Sequence, residues 1–255
     1  MASPTERLRV LVVKKTKLGE SDLILTFLAD DGSQRRAVAR GARKPTSPFA
    51  ARLEVFSQAD VLIAQGRSLD IVKEARLASG RPNLHGSVER AACAAPVAEL
   101  LEKISQPGLP VARLFDMSAV ALDALESSRL EACPTLCAAA LLKGVSLCGF
   151  KPSFDRCACC GKWIAGDGGR PAPFSVSEGG VLCGGCSKGS DAVPVDASTL
   201  QWCRALLGST FERISSFDVD QAAAFAVLQL VGQWVRFHVG SSVKSLSFLF
   251  SSGLF

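Results

Sequence analysis

Up to about residue 77 the apolar positions recur with the short period of strands. Residues 8–13, Leu-Arg-Val-Leu-Val-Val, form a run rich in branched side chains, and residues 21–28 form a second. Residues 29–33 read as a hairpin turn, with Gly32 where a positive φ is wanted. Residues 34–40 alternate basic and apolar positions. Arg36 and Val38 fall on one face, Ala37 and Ala39 on the other. Residues 41–48, with Pro45 and Pro48, read as a loop. Residues 53–64 and 68–77 follow as further strands, joined at 65–67. Five strands within residues 1–80 suggest a small closed barrel. A five-stranded OB-fold is the favoured form, and an SH3-like barrel is its rival.

Past Gly80-Arg81-Pro82-Asn83 the period lengthens to that of helices, and the rest of the chain, residues 81–255, reads as a helical domain. Residues 87–105 carry Val97, Leu100, Leu101 and Ile104 at helical spacing, with Pro96 expected as a kink or boundary. Residues 110–125 and 134–147 each open at a proline, which the first turn of a helix tolerates. Residues 198–207 and 218–239 are expected as two more helices, the last capped by Asp218 and stopped at Gly240. The apolar, serine-rich residues 241–255 are expected to pack on the helical body. The expected class is thus α+β and multidomain.

The helical part is interrupted at residues 154–188 by two Cys-x-x-Cys pairs, Cys157 with Cys160 and Cys183 with Cys186. The twenty-two residues between them include Gly161, Gly166, Gly168, Gly169, Pro171, Pro173, Gly179 and Gly180. Two thiolate knuckles on tight turns can close a tetrahedral shell around one Zn²⁺. Four sulfurs leave no open position, so such a metal is a staple rather than a catalyst. Disulfides and a thioredoxin-like redox site are the rivals. The first residues, Met1 to Arg7, lack the plan of a secretory signal, so a reducing, cytoplasmic setting is expected. A doubled Cys-x-x-Cys across a Gly/Pro-rich loop also fits a redox site poorly. Cys159 competes as a ligand inside the first knuckle, although the spacing favours Cys157 with Cys160. Cys93, Cys133, Cys137, Cys148 and Cys203 lie in apolar stretches and read as small buried hydrophobes.

Composition narrows the function. The 255 residues are 48% hydrophobic with a mean hydropathy of +0.25, but no stretch of about 18 uninterrupted apolar residues occurs, so no membrane span is expected. Tyrosine is absent and only His85 and His238 are present, which disfavours histidine-based acid–base catalysis. Residues 1–80 hold 14 of the 29 Lys and Arg and 9 of the 24 Asp and Glu. The whole net charge of +5 therefore falls in the barrel. No acid occurs between Asp31 and Glu54, while Arg35, Arg36, Arg40, Arg43, Lys44 and Arg52 are basic. Lys14, Lys15 and Lys17 form a second cluster. A one-sided basic surface is the footprint of a polyanion binder.

Certain residues also carry a family resemblance. Lys17-Leu18-Gly19-Glu20-Ser21-Asp22 contains a G-E-x-D turn after the first strand. Asp31-Gly32 and the G-A-R-K loop of Ala39-Arg40-Gly41-Ala42-Arg43-Lys44 follow. Gly149-Phe150, Cys157-x-x-Cys160, Phe174-Ser175, Gly179-Gly180 and Cys183-x-x-Cys186 complete the series. In this order and spacing the chain resembles the RecO family of bacterial recombination mediators. Residues 240–245, Gly-Ser-Ser-Val-Lys-Ser, echo the family's ending only loosely.

The resemblance implies an N-terminal OB domain and a helical domain bearing structural zinc, one ion per chain. It implies binding of single- and double-stranded DNA and annealing of complementary strands. Its partners would be RecR and the C-terminal tail of single-strand-binding protein (SSB), with RecA loaded indirectly at gaps, in the cytoplasm and on the nucleoid. No membrane and no enzymatic activity are implied. The expected DNA contacts, read from the charge pattern, are Arg35, Arg36, Arg40, Arg43 and Lys44, with Lys14, Lys15 and Lys17. Phe27 and Phe56 fall in strand patterns and read as core, whereas Phe49 in the basic loop is placed to stack on bases.

An ATPase is disfavoured, since Gly161-Lys162 has Arg156 where a phosphate loop needs its first glycine. A zinc deaminase is disfavoured because His85 is followed by Gly86-Ser87 instead of x-Glu. The remaining alternative is a zinc-ribbon protein that binds RNA or serves transcription.

Overall fold

The computed structural model describes residues 4–164 and 169–255; Met1–Ser3 and the loop glycines Gly166 and Gly168 lie outside them. The chain forms two compact units, residues 1–127 and 128–255.

In the first unit, β1 (Thr5–Leu18), β2 (Asp22–Ala29), β3 (Gln34–Ala39), β4 (Gln58–Ala64) and β5 (Asp70–Ser79) close a barrel in the order β1-β2-β3-β5-β4. The β3–β5 pair is parallel and the others are antiparallel, the strand order of an OB barrel. Strand β1 closes the ring because it is long: residues 5–11 pair with β4 and residues 10–18 pair with β2. Val10, Val12, Leu25, Phe27, Ala37, Ala39, Val61 and Ile63 fill the interior.

A bulge in β1 decides where its lysines point. Val12 faces Phe27 and Lys14 faces Thr26, so Val13 is an extra residue. An inserted residue reverses the side-chain phase beyond it. Lys15, opposite Leu25, therefore continues the inward row of Val10 and Val12 and is half-buried. Lys17, opposite Leu23, carries that row to the exposed end of the strand, and Lys14 turns outward.

Residues 53–57, expected as strand, form turns instead. Phe56 has φ 73°, which no strand accommodates. Three helices belong to this unit: α1 (Pro82–Gly86), α2 (Val88–Ile104) and α3 (Leu114–Ser127). Helix α2 packs on β1 and β2, where Leu11, Val13 and Leu28 are buried. Pro96 sits inside α2 without ending it. Helix α3 starts at Leu114, later than expected at residue 110, because Arg113 takes φ 67° and Val111 lies against Gly32. A Cβ on Gly32 would stand 2.0 Å from the Val111 carbonyl oxygen, so this turn needs glycine for space as well as for φ 83°.

The second unit is built on α4 (Cys133–Leu147), of whose residues 12 are buried. It packs against α5 (Ala197–Gly208), α6 (Phe211–Ser215) and α7 (Gln221–His238). Residues Leu130–Leu147 are long and apolar enough to cross a membrane, yet 72% of that stretch is buried within the protein, as suits a core helix. Helix α7 is capped by Asp220, whose carboxylate accepts the Ala223 N–H at 2.8 Å, rather than by the expected Asp218. The Phe217 carbonyl just before it is held by Arg129 at 2.7 Å, outside the helix. The C-terminal residues fold back as α8 (Lys244–Ser251), burying Leu246 and Leu249. β6 (Ala172–Ser175), β7 (Gly180–Val181) and β8 (Val193–Val195) form a small sheet in the order β7-β6-β8.

Candidate metal centre and nucleic-acid interface

The sulfurs of Cys157, Cys160, Cys183 and Cys186 all lie within 4.8 Å of one another. Cys160 and Cys183 Sγ are 3.8 Å apart. A tetrahedral ion with bonds of about 2.3 Å to sulfur needs sulfur pairs about 3.8 Å apart, so the donor set fits one such ion. The backbone already supports thiolates there. Cys157 accepts the N–H of Cys183 at 3.3 Å. Its thiol is pulled down to about 6, chiefly by the N–H of Cys160. Cys183 is lowered in the same way, first by the N–H of Cys186. Cys186 is pushed up because its thiol donates to the neighbouring sulfurs, Cys183 first.

Cys159 turns away from this cluster. Its thiol donates to Glu178 at 3.2 Å, and that carboxylate raises it to about 11. Of the scattered cysteines, Cys93, Cys133, Cys137 and Cys203 are buried and Cys148 is half-buried. Burial pushes Cys203 up to about 12, so it is an inert thiol.

Local geometry explains the knuckles. Cys157 N–H donates to Lys162 O at 2.8 Å and Ile164 N–H to Asp155 O at 2.9 Å, so residues 155–164 fold as a minimal hairpin around the first pair. The second pair is reached through Gly180, where a Cβ would stand 2.1 Å from Ser153 O. The segment is anchored by side chains from distant helices. Arg204 on α5 donates to Phe154 O and reaches Asp155 at 2.9 Å. Phe174 lies between Phe154 and Trp234 of α7, with ring centroids 6.0 and 5.8 Å away. Trp234 Nε1 donates to Phe150 O at 2.8 Å.

The expected basic residues divide into two sets. Three are engaged by acids remote in sequence: Lys14 with Glu102 at 2.6 Å, Lys15 with Glu54 at 2.6 Å, and Arg35 with Glu6 at 3.3 Å. Lys17, Arg36, Arg40, Arg43 and Lys44 are exposed and carry no salt bridge among the described residues. Arg40, Arg43 and Lys44 share the loop that follows β3. Arg43 donates from its backbone to Ser21 O and from its guanidinium to Gly19 O, both at 2.9 Å. Asp22 accepts the Gly41 N–H at 2.8 Å, which holds its carboxyl below the usual range. The β1–β2 turn, which Lys17 precedes by two residues, and the loop after β3 that carries Arg40, Arg43 and Lys44 are thereby tied. On the outer face, Lys14, Thr26 and Arg36 stand in one cross-strand row.

The aromatic expectation needs one correction. Phe27 and Phe56 are buried as anticipated, but Phe49 is half-buried against the barrel core instead of standing free. An exposed aromatic ring does stand beside cations, at Trp163 in the cysteine segment, with Lys162, Arg156 and Arg170 nearby in sequence. The composition of residues 156–170 held this signal, since basic residues there flank a tryptophan.

Residues 1–81 match the family model "Recombination protein O N terminal" and residues 85–247 match "Recombination protein O C terminal". The chain is 32% identical to the DNA repair protein RecO of Pelotomaculum thermopropionicum, covering 94% of this chain and 91% of that protein. It is 30% identical to the RecO protein of Bifidobacterium longum subsp. infantis, over 92% and 95% of the two chains. With the RecO protein of Rubrobacter xylanophilus the identity is 35% over 78% and 79%.

Proposed function

This chain belongs to the RecO family of DNA repair proteins, and from that footing we propose that it binds single- and double-stranded DNA and anneals complementary strands. With RecR it would help RecA displace SSB at gaps, contacting the SSB tail, in the cytoplasm and on the nucleoid. The observation that carries the DNA reading is the set of exposed cations without a salt bridge among the described residues, Arg40, Arg43 and Lys44 on a loop tied to the β1–β2 turn, with Lys17 on β1 before that turn.

Cations on a polyanion release condensed counterions, giving affinity that ignores sequence and fades with salt. Annealing requires that two phosphate backbones approach without their bases being read. A basic loop presented by a rigid barrel lowers that repulsion, and exposed side chains let either strand be exchanged. Lys14, Lys15 and Arg35 are already neutralised by Glu102, Glu54 and Glu6, so they contribute less. The DNA-binding domain would be residues 1–80, followed by a helical domain over 81–255, of which α1–α3 lie in the same compact unit as the barrel.

Cys157, Cys160, Cys183 and Cys186 would hold one Zn²⁺. The ion would supply a tetrahedral cross-link and no open coordination position, so its role would be structural.

The test is annealing of two complementary oligonucleotides, naked and coated with cognate SSB, across a salt series. Acceleration on both, fading with salt, is expected. Acceleration on naked strands alone would reduce the protein to a generic basic binder. No acceleration would favour the RNA-binding alternative.

A further inference from the structure

Single-strand binders add base stacking on aromatic rings to backbone electrostatics. The barrel offers no exposed aromatic: Phe27 and Phe56 are buried and Phe49 lies against the core. The cysteine segment does. Trp163 is 58% exposed and lines an open groove of about 410 Å³ with Lys162, Arg170 and Arg204. Pro171 and Leu182 supply apolar lining, and no carboxylate lines the groove among the described residues. Arg204 is spent on Asp155 and Phe154 O, which leaves Lys162 and Arg170 as exposed cations.

Trp163 is also pre-positioned. It bridges to Arg156 across the hairpin that encloses Cys157 and Cys160, and the Arg156 guanidinium lies 5.3 Å from its ring centroid. Neighbouring backbone bonds, Cys157 N–H to Lys162 O and Ile164 N–H to Asp155 O, fix the same hairpin. A ring held in place costs little entropy when a ligand stacks on it. We infer that Trp163, with Lys162 and Arg170, forms a second nucleic-acid contact that stacks an unpaired base and neutralises its phosphates. The flat exposed ring favours a nucleotide over an acidic peptide, and the groove has room for one base-sized group. This rests on the DNA-binding reading above and adds to it a preference for unpaired strands.

The experiment titrates the full-length, metal-loaded protein with oligothymidylate and with a hairpin duplex, reading affinity and tryptophan fluorescence. Oligothymidylate should quench the wild-type fluorescence. Trp163→Phe should lose that quenching and keep most of the affinity, since phenylalanine still stacks. Trp163→Ala should bind oligothymidylate about tenfold more weakly and the duplex unchanged. Quenching that persists in Trp163→Phe arises at Trp202 or Trp234 and overturns the inference. So does Trp163→Ala with wild-type single-strand affinity, while leaving the barrel's DNA binding intact. Quenching by an acidic peptide and not by oligothymidylate makes the groove a peptide site and overturns it too. A wild-type protein that binds neither oligonucleotide defeats both this inference and the DNA reading.

Discussion

The Arg81 guanidinium donates to the Phe56 carbonyl at 2.6 Å, and both residues have positive φ, 47° and 73°. Arg81 is the largest fully buried side chain in the protein's described residues. It also donates to Asp123 Oδ1 at 2.8 Å and to Ala119 O at 3.3 Å, so one side chain joins the turn before β4 to helix α3. Arg81→Ala should destabilise the first unit by about 3 kcal/mol, because buried carbonyls lose their donor and a void remains. Arg81→Lys should recover little, since one ammonium cannot span three diverging acceptors. Asp123 is 58% exposed, so Asp123→Asn should cost under about 1 kcal/mol. Urea unfolding of the three variants checks the ranking.

Metal removal should act on one unit. Cys160→Ser or Cys183→Ser is expected to lose the ion and lower the melting temperature of the second unit, since binding free energy at a structural site is folding free energy. Cys159→Ser should keep both, because its thiol faces Glu178. Metal content by mass spectrometry with parallel melting curves decides; a Cys160→Ser protein that keeps its ion and its melting temperature would refute the assignment.

Charge removal should sort by pairing. Replacing Arg40, Arg43 and Lys44 together with Ala should reduce the slope of log affinity against log salt by up to about 0.9 per lost contact on duplex. Replacing Lys14, Lys15 and Arg35 should change it far less, since each already has a carboxylate partner. Equal slopes for the two triple variants would show that the pairing does not persist on DNA.

Acidification should loosen the tied loops. The folded-state pKa of Asp22 lies below its ordinary 3.8, chiefly through the Gly41 N–H. A depressed carboxyl contributes stability above its unfolded pKa and loses it as pH falls through the folded value. Protection of the Gly41 and Arg43 amides against hydrogen exchange should therefore drop below about pH 4. Asp22→Asn should weaken protection near neutral pH and flatten the acid-side decline.

Much of the fold was legible in the residues. The two-residue period of residues 34–40 set Ala37 and Ala39 on the face opposite Arg36 and Val38, and the fold buries the alanine face and exposes Arg36. Buried Phe27 and Phe56 and the two Cys-x-x-Cys pairs were equally readable. Some local detail was not. The helix start at Leu114 and the cap at Asp220 depend on Val111 meeting Gly32 and on Arg129 holding Phe217 O, contacts between segments far apart in sequence.

The sequence by itself determined the strand and helix periods, the excess charge of residues 1–80 and the four-sulfur donor set, because each is encoded by spacing along the chain. Tertiary structure alone decided which cations are free. The extra Val13 in β1 turns Lys14 outward to Glu102 and Lys15 inward to Glu54, and folding brings Arg35 to Glu6. It likewise decided that Phe49 packs on the core while Trp163 stands open on its hairpin. Charge and ring type are properties of a residue. Whether a charge is neutralised or a ring covered is set by neighbours that only closure of the fold supplies.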